Sequence, residues 1–207
     1  MARLTTVADL RRILPDPRPT TRAKILPALD EQAVAFLARS PFALLSTVGA
    51  DGRVEVSPKG DEPGFIRVED PTTLLIPERV GNNLAFGLQN ILANGRVGLI
   101  ALLPATGETL RVSGSAELHD DPELVASLGS AGRPALLAIR VRIEHCYFHC
   151  ARALVRSRLW DPASWPSPGR VSFGRIIAPR VGGDAAMAGE IDARIEGAYT
   201  TRLWRND

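Results

Sequence analysis

About six or seven short segments with the composition and period of β-strands run through the middle of the chain. Turn-forming residues separate them, most clearly G-A-D-G after Val48 and P-A-T-G after Leu103. The intervening helices are few and short, and no crossover βαβ pattern is visible, which disfavours a Rossmann-type domain. The sequence therefore predicts a mainly β fold, a small β-barrel with peripheral helices. The expected strands are 42–48, 53–57, 65–68, 73–76, 97–103, 108–119 and 136–147.

Helical patterns lie mainly at the two ends of the chain. The expected helices are 7–14, 30–39, 84–92, a short one opening at Asp121-Pro122, 151–159 and 184–199. Asp30 is suited to cap the second of these, and Asn94-Gly95 to end the third. We therefore expect a helical extension over 1–40, the barrel over 41–162, and a loop and helix over 163–207 that pack on the barrel or on a partner chain.

Charge and hydropathy exclude several classes of function. The net charge of the 207 residues is only +2, with no basic cluster that would indicate a nucleic-acid partner. No apolar run approaches the roughly 18–20 residues needed to span a membrane. The first residues lack the apolar core and cleavage site of a signal peptide, and two cysteines are too few for a disulfide framework. A cytoplasmic location is expected.

The segment after the fourth expected strand is suited to bind a phosphate. Arg79 follows the strand end directly, and Gly81-Asn82-Asn83 precede the next helix. A helix start offers free backbone N–H groups, and a guanidinium beside it adds charge-assisted hydrogen bonds. Asn82 or Asn83 could also cap the helix. The alternative is an ordinary surface loop with an N-cap.

Together, S-P-K-G at residues 57–60 and I-P-E-R-V-G-N-N at residues 76–83 resemble the FMN-binding split-barrel flavoproteins of the pyridoxamine 5'-phosphate oxidase-like superfamily. The resemblance implies that Arg79, Asn82 and Asn83 lie at the FMN phosphate, and that Ser57 and Lys59 approach the flavin. A cation near its pyrimidine side would stabilise the negative charge of reduced flavin. Many family members carry Ser-Arg-Lys where this chain has no Arg-Lys pair. A plain turn lysine remains the alternative for Lys59.

The strand over 108–119 places Thr109, Arg111 and Ser113 on one polar face. The corresponding strand of the family approaches the flavin, so the resemblance implies that these side chains contribute to the cofactor site. A solvent-facing strand explains the same alternation. Gln89 is a further candidate on the helix after the phosphate segment, although a solvated helix face also explains it.

Two cysteines and two histidines fall within H-C-Y-F-H-C at residues 145–150. Strand alternation would send the cysteines and histidines to opposite faces, and a zinc site needs further ligands, so no metal site is expected. The segment after it resembles a family subgroup with A-L-x-R-S-x-L-W-D-P, which implies that Arg156 helps hold flavin or substrate. Packing of Leu159 and Trp160 at a dimer interface is the alternative.

The resemblance implies a homodimer with FMN in a groove between two barrels. The expected function is an FMN-dependent oxidoreductase that transfers a hydride or two electrons to or from a small molecule, with NAD(P)H or dioxygen as redox partner. The alternatives are a flavin carrier or redox sensor, or the same barrel with haem or a deazaflavin. Pyridoxamine phosphate oxidation itself is not expected, because the C-terminal R-L-x-P of those enzymes is absent. No catalytic residue is assigned.

Overall fold

The computed structural model describes residues 3–81 and 83–204. Their strands join into one seven-stranded sheet in the order β2-β1-β5-β6-β7-β4-β3, with every pairing antiparallel. The mainly β fold predicted from the sequence is therefore confirmed. The strands are β1 (Phe42–Val48), β2 (Val54–Gly60), β3 (Arg67–Asp70), β4 (Thr73–Glu78), β5 (Arg96–Leu102), β6 (Thr109–His119) and β7 (Leu137–His149).

One face of the sheet forms the hydrophobic core, because every second residue along the central strands is apolar. Leu45, Leu99, Val112 and Val141 are among the buried side chains of this inner face. Helix α3 (Glu31–Leu37) adds Phe36, whose ring packs edge-on against Phe148 at a centroid distance of 5.4 Å. The curved sheet thus closes on its own core, as expected for a split barrel.

The helices lie around the barrel. Asp30 caps α3 as predicted, and Gly95 ends α4 (Phe86–Asn94) in the left-handed conformation. Helices α2 and α7 are absent from the sequence prediction. No helix in the described part of the chain is long and apolar enough to cross a membrane. The remaining helices are α1 (Val7–Ile13), α2 (Pro19–Ala23), α5 (Pro122–Ser127), α6 (Arg152–Ser157), α7 (Phe173–Ile177) and α8 (Ala185–Thr200), with 3₁₀ turns at Pro162–Ser164 and Ala178–Val181.

The outer face of the sheet is apolar near its β2 edge. Val54 and Val56 of β2 are each more than half exposed, and Phe42 of β1 is 38% exposed. Register continues this face across β1 and β5, where Leu44 pairs with Ile100. A sheet with exposed β-branched and aromatic residues on one face is suited to bury that face against another surface.

Candidate functional site

A cavity of about 650 Å³ opens where the sheet is split, between the edge strand β2 and the end of β4. Its walls come from β2, from the segment after β4 and from the first turn of α4. Ser57 and Lys59 reach it from β2, because they share the inner face with their neighbours Leu45 and Ala43 on β1. Its apolar lining consists of Leu45, Val56, Pro58, Phe65, Pro77, Val80, Leu84, Ala85, Phe86, Leu88 and Leu136.

Two ion pairs cross the split. The Lys59 ammonium lies 2.5 Å from Glu78 Oε2, and Arg79 Nε lies 2.6 Å from Asp61 Oδ2. Each side of the split therefore supplies one cation and one carboxylate. The cation of each side pairs with the carboxylate of the other side. All four side chains are less than one fifth exposed. Poor solvent screening strengthens pairs of this kind.

Arg79 has further contacts beyond its carboxylate. One terminal nitrogen, Nη2, donates to the carbonyl oxygen of Leu128 at 2.7 Å. The guanidinium also lies 5.9 Å from the ring centroid of Trp204, near the C-terminal end of the described chain. Three separate parts of the chain therefore surround this one side chain.

The segment between β4 and α4 has unusual backbone geometry. Asn83 and Ala85 both have positive φ, 58° and 52°, which costs a residue with a Cβ atom about 1 kcal/mol. The N-cap of α4 is Ala85, without a side-chain hydrogen bond. The prediction that Asn83 caps this helix is therefore wrong, and Asn82 lies outside the described residues. Within residues 3–81 and 83–204, no side chain caps the first turn of α4, where Phe86, Gly87 and Leu88 line the cavity.

Thr109, Arg111 and Ser113 lie elsewhere, on the outer face of the sheet. They are half-buried, and across the β6–β7 pair they lie opposite His149, Tyr147 and His145. The Arg111 guanidinium is 5.6 Å from the Tyr147 ring centroid, and Lys24 approaches the same ring at 5.2 Å. Within one chain, this polar group does not line the cavity that Ser57, Lys59, Arg79 and Asn83 share.

Gln89 and Arg156 are also outside the cavity lining. Gln89 is exposed on α4, where its amide donates to the Leu84 carbonyl at 3.1 Å. Arg156 is exposed in the last turn of α6. Their assignment to the cofactor site stays a prediction.

A family model for pyridoxamine 5'-phosphate oxidase matches residues 29–150, which is more than half of the chain. The chain belongs to this family. The match contains all seven strands and both ion pairs of the split. Membership agrees with the split-barrel fold and with a flavin-related class of oxidoreductases.

Solved structures of related fold support no finer assignment. A putative pyridoxamine 5'-phosphate oxidase from Lactobacillus delbrueckii is 26% identical, with 59% of this chain and 95% of that chain covered, at a TM-score of 0.45. HupZ from Group A Streptococcus is 17% identical, with 58% and 93% covered, at 0.48. An F420 reductase is 20% identical, with 58% and 98% covered, at 0.42. No curated protein matches the sequence.

The sequence prediction omitted the two carboxylates that pair with Lys59 and Arg79 at the split. Asp61 directly follows the K-G of S-P-K-G, and Glu78 directly precedes Arg79. A carboxylate within two residues of each predicted cation is a sequence pattern that could have indicated the ion pairs. Its meaning depends on the strand order, because only the curved sheet brings the ends of β2 and β4 face to face.

The prediction that Cys146 and Cys150 share one strand face is wrong, because β7 ends at His149 and Cys150 lies beyond it. Cys146 is buried in the core, and its thiol donates to the Ala28 carbonyl at 3.2 Å, whereas Cys150 is exposed. Burial, with a smaller effect of the Asp30 charge, raises the pKa of the Cys146 thiol. No group of three or more histidine, cysteine or acidic side chains is placed to hold a metal ion within residues 3–81 and 83–204.

Proposed function

We propose that this protein binds FMN in the cavity at the split and transfers a hydride or two electrons between the flavin and a small molecule. The observation that carries the proposal is the combination of two cationic side chains, Lys59 and Arg79, with apolar walls in one cavity. A volume of about 650 Å³ lies within the ordinary range for cofactor pockets.

The donor set suits a flavin nucleotide. A phosphate group needs a cation and N–H donors, and Arg79 and the first turn of α4, which no described side chain caps, supply both. A flavin ring needs apolar walls, which Leu45, Phe65 and other lining residues provide. The Ser57 hydroxyl is a further polar group on the same wall.

FMN, when bound, would supply the hydride or two-electron chemistry. The chain's own side chains would bind and orient it, and the apolar walls would keep water from its ring. A cation such as Lys59 near the ring would favour a reduced, negatively charged cofactor. NAD(P)H or dioxygen is the proposed redox partner.

The proposal includes a homodimer. Thr109, Arg111 and Ser113 lie outside the cavity of their own chain but on the same outer face as the exposed Val54 and Val56. Burying that face against a second copy would remove apolar surface from water. In such a dimer, these polar side chains could lie at the cavity of the second copy.

The test is a flavin titration of the purified protein, followed by absorption and by quenching of flavin fluorescence. FMN is expected to bind, and Arg79→Ala is expected to weaken binding by about 1.5–3 kcal/mol, the value of a charge-assisted hydrogen bond. Arg140→Ala is the matched control, because Arg140 pairs with Glu69 instead of lining the cavity. Unchanged affinity in Arg79→Ala would remove Arg79 from the site.

The same preparation separates the alternatives. A Soret band would indicate haem, and tight binding of a deazaflavin without FMN binding would indicate that cofactor. Prompt bleaching of bound FMN by NADH or NADPH supports an enzyme. Bound FMN that neither nicotinamide reduces, and that does not return to the oxidised form in air after chemical reduction, supports a carrier.

A further inference from the structure

Asp61 is an almost completely buried carboxylate. Its side chain is 1% exposed, and it accepts three hydrogen bonds: from Arg79 Nε at 2.6 Å, from the Ser130 hydroxyl at 2.7 Å and from the Glu62 backbone N–H at 2.7 Å. Burying a carboxylate is costly unless such partners satisfy it. A guanidinium, a hydroxyl and a backbone N–H therefore all donate to this one carboxylate. Together they fix its orientation.

The Arg79 guanidinium is held at two of its nitrogens, one by this carboxylate and one by a backbone carbonyl. Nε is bound to Asp61, and Nη2 donates to the Leu128 carbonyl two residues before Ser130. Two anchored nitrogens fix the plane of the group and hence the direction of its remaining N–H bonds. Nη1 makes no hydrogen bond with the described residues, so this nitrogen keeps its donors for a ligand.

Asp61 contacts Arg79 on the side away from the large cavity. The Arg79 side chain lines both the large cavity and a smaller neighbouring one of about 170 Å³. Asp61, Gly129 and Ser130 line only the smaller cavity. A ligand in the large cavity would therefore meet Arg79 and not the carboxylate that orients it.

We infer that Asp61 is a positioning residue, which fixes the Arg79 guanidinium so that its free nitrogen binds the phosphate of the cofactor. The inference rests on the proposed function and adds to it a second layer of the site, built by Asp61 and by the segment 128–130 before β7. A purely structural alternative exists, in which the Asp61–Arg79 pair only closes the split and affects every ligand alike.

The experiment compares FMN with riboflavin, which lacks the phosphate. In Asp61→Asn the amide cannot satisfy Arg79 as a carboxylate does, so the guanidinium loses its fixed orientation. FMN affinity should fall about tenfold or more, while riboflavin affinity should stay within about twofold of wild type. Ser130→Ala, which removes one of three bonds to Asp61, should produce the same selectivity with a smaller loss of FMN affinity. Glu69→Gln, at the ion pair with Arg140, is the control and should change neither affinity.

A double-mutant cycle checks that Asp61 acts through Arg79. In the Arg79→Ala background, Asp61→Asn should cause no further loss of FMN affinity. Equal losses for FMN and riboflavin, additive losses in the cycle, or unchanged FMN affinity would each overturn the inference. If Asp61→Asn does not fold, the selectivity of Ser130→Ala decides the question. Wild-type protein that binds neither flavin would refute the proposed function and this inference together.

Discussion

Lys59 and Glu78 form an ion pair across the opening of the barrel, with 2.5 Å between Nζ and Oε2. Lys59 belongs to the edge strand β2 and Glu78 is the last residue of β4, so the pair connects two strands that share no backbone hydrogen bond. This pair and the Arg79–Asp61 pair bridge the split, where no backbone hydrogen bonds join the two sides of the sheet. The same four side chains thus serve the closure of the barrel and the polarity of its cavity.

Glu78→Gln is expected to destabilise the protein by about 2 kcal/mol, because it leaves the Lys59 ammonium poorly compensated at 12% exposure. Replacing both partners by apolar residues of similar size, as in Lys59→Met with Glu78→Leu, should restore stability to within about 1 kcal/mol of wild type. The measurement is urea unfolding at one fixed protein concentration without flavin.

The control is Glu69→Gln. Both side chains of the Arg140–Glu69 pair are more than one third exposed, and solvent screening should keep this loss below about 1 kcal/mol. Equal losses at Glu78 and Glu69 would show that the pair across the split is as weak as a surface pair.

The two thiols should differ sharply in reactivity. Burial raises the pKa of Cys146, so its thiol stays protonated at neutral pH, and the thiolate is the reactive form. A thiol reagent should therefore modify Cys150 rapidly in the native protein and Cys146 only after unfolding. Cys150→Ser should abolish the fast reaction, and a fast reaction that persists in this variant would show that Cys146 is accessible.

Short apolar runs between turn-forming residues made most of the barrel predictable. The segments 42–48 and 97–103 are mainly apolar and lie between Gly or Pro residues, and the structure places strands at nearly those bounds. Helix α2 and helix α7 were missed because each is only five residues long. Segments of that length carry too few turns for a helical period to be visible.

The site was predictable only in part. Lys59, Arg79 and Asn83 line one cavity. They could be proposed from the sequence because S-P-K-G and the segment after β4 carry recognisable local patterns. Asp61 gained its role from Ser130, which is 69 residues away in the chain. The N-cap prediction for Asn83 failed because capping preference is local, whereas this loop adopts two left-handed residues before α4 begins. Long-range pairing and backbone strain leave little trace in a single sequence.

Gly174→Ala should loosen the C-terminal pair of helices. Gly174 lies where α7 meets α8, and a Cβ atom there would overlap the backbone carbonyl of Ala188. Its N–H also donates to Asp192 at 2.7 Å, together with the Ser172 hydroxyl. Overpacking against backbone should cost about 1–3 kcal/mol. Faster hydrogen exchange of the α8 amides would report it.

Gly189→Ala is the matched control on α8 itself. A Cβ atom at Gly189 would meet nothing within 4 Å, so the change should raise helix stability by about 0.5–1 kcal/mol. Slower exchange in Gly189→Ala and faster exchange in Gly174→Ala are expected. The same direction of change in both variants would contradict the packing of α7 on α8.

The proposed dimer depends on the outer face of β2. Val54 is 59% exposed there and does not line the cavity, so Val54→Asp should leave the fold of a single chain and its cavity intact. In a dimer that buries this face, the introduced carboxylate would lose its hydration without gaining a partner, and the dissociation constant should rise about tenfold or more. Sedimentation equilibrium measures this directly. Val7→Asp is the control, because Val7 is 71% exposed on α1, a helix without buried residues.

Flavin binding provides a second readout of the same variant. If Thr109, Arg111 and Ser113 of one chain reach the cavity of the other, dissociation of the dimer removes them from the site. Val54→Asp should then lower FMN affinity at low protein concentration, and higher protein concentration should restore it by mass action. An unchanged dimer in Val54→Asp, or a monomeric wild type that binds FMN with full affinity, would exclude the outer face from the cofactor site.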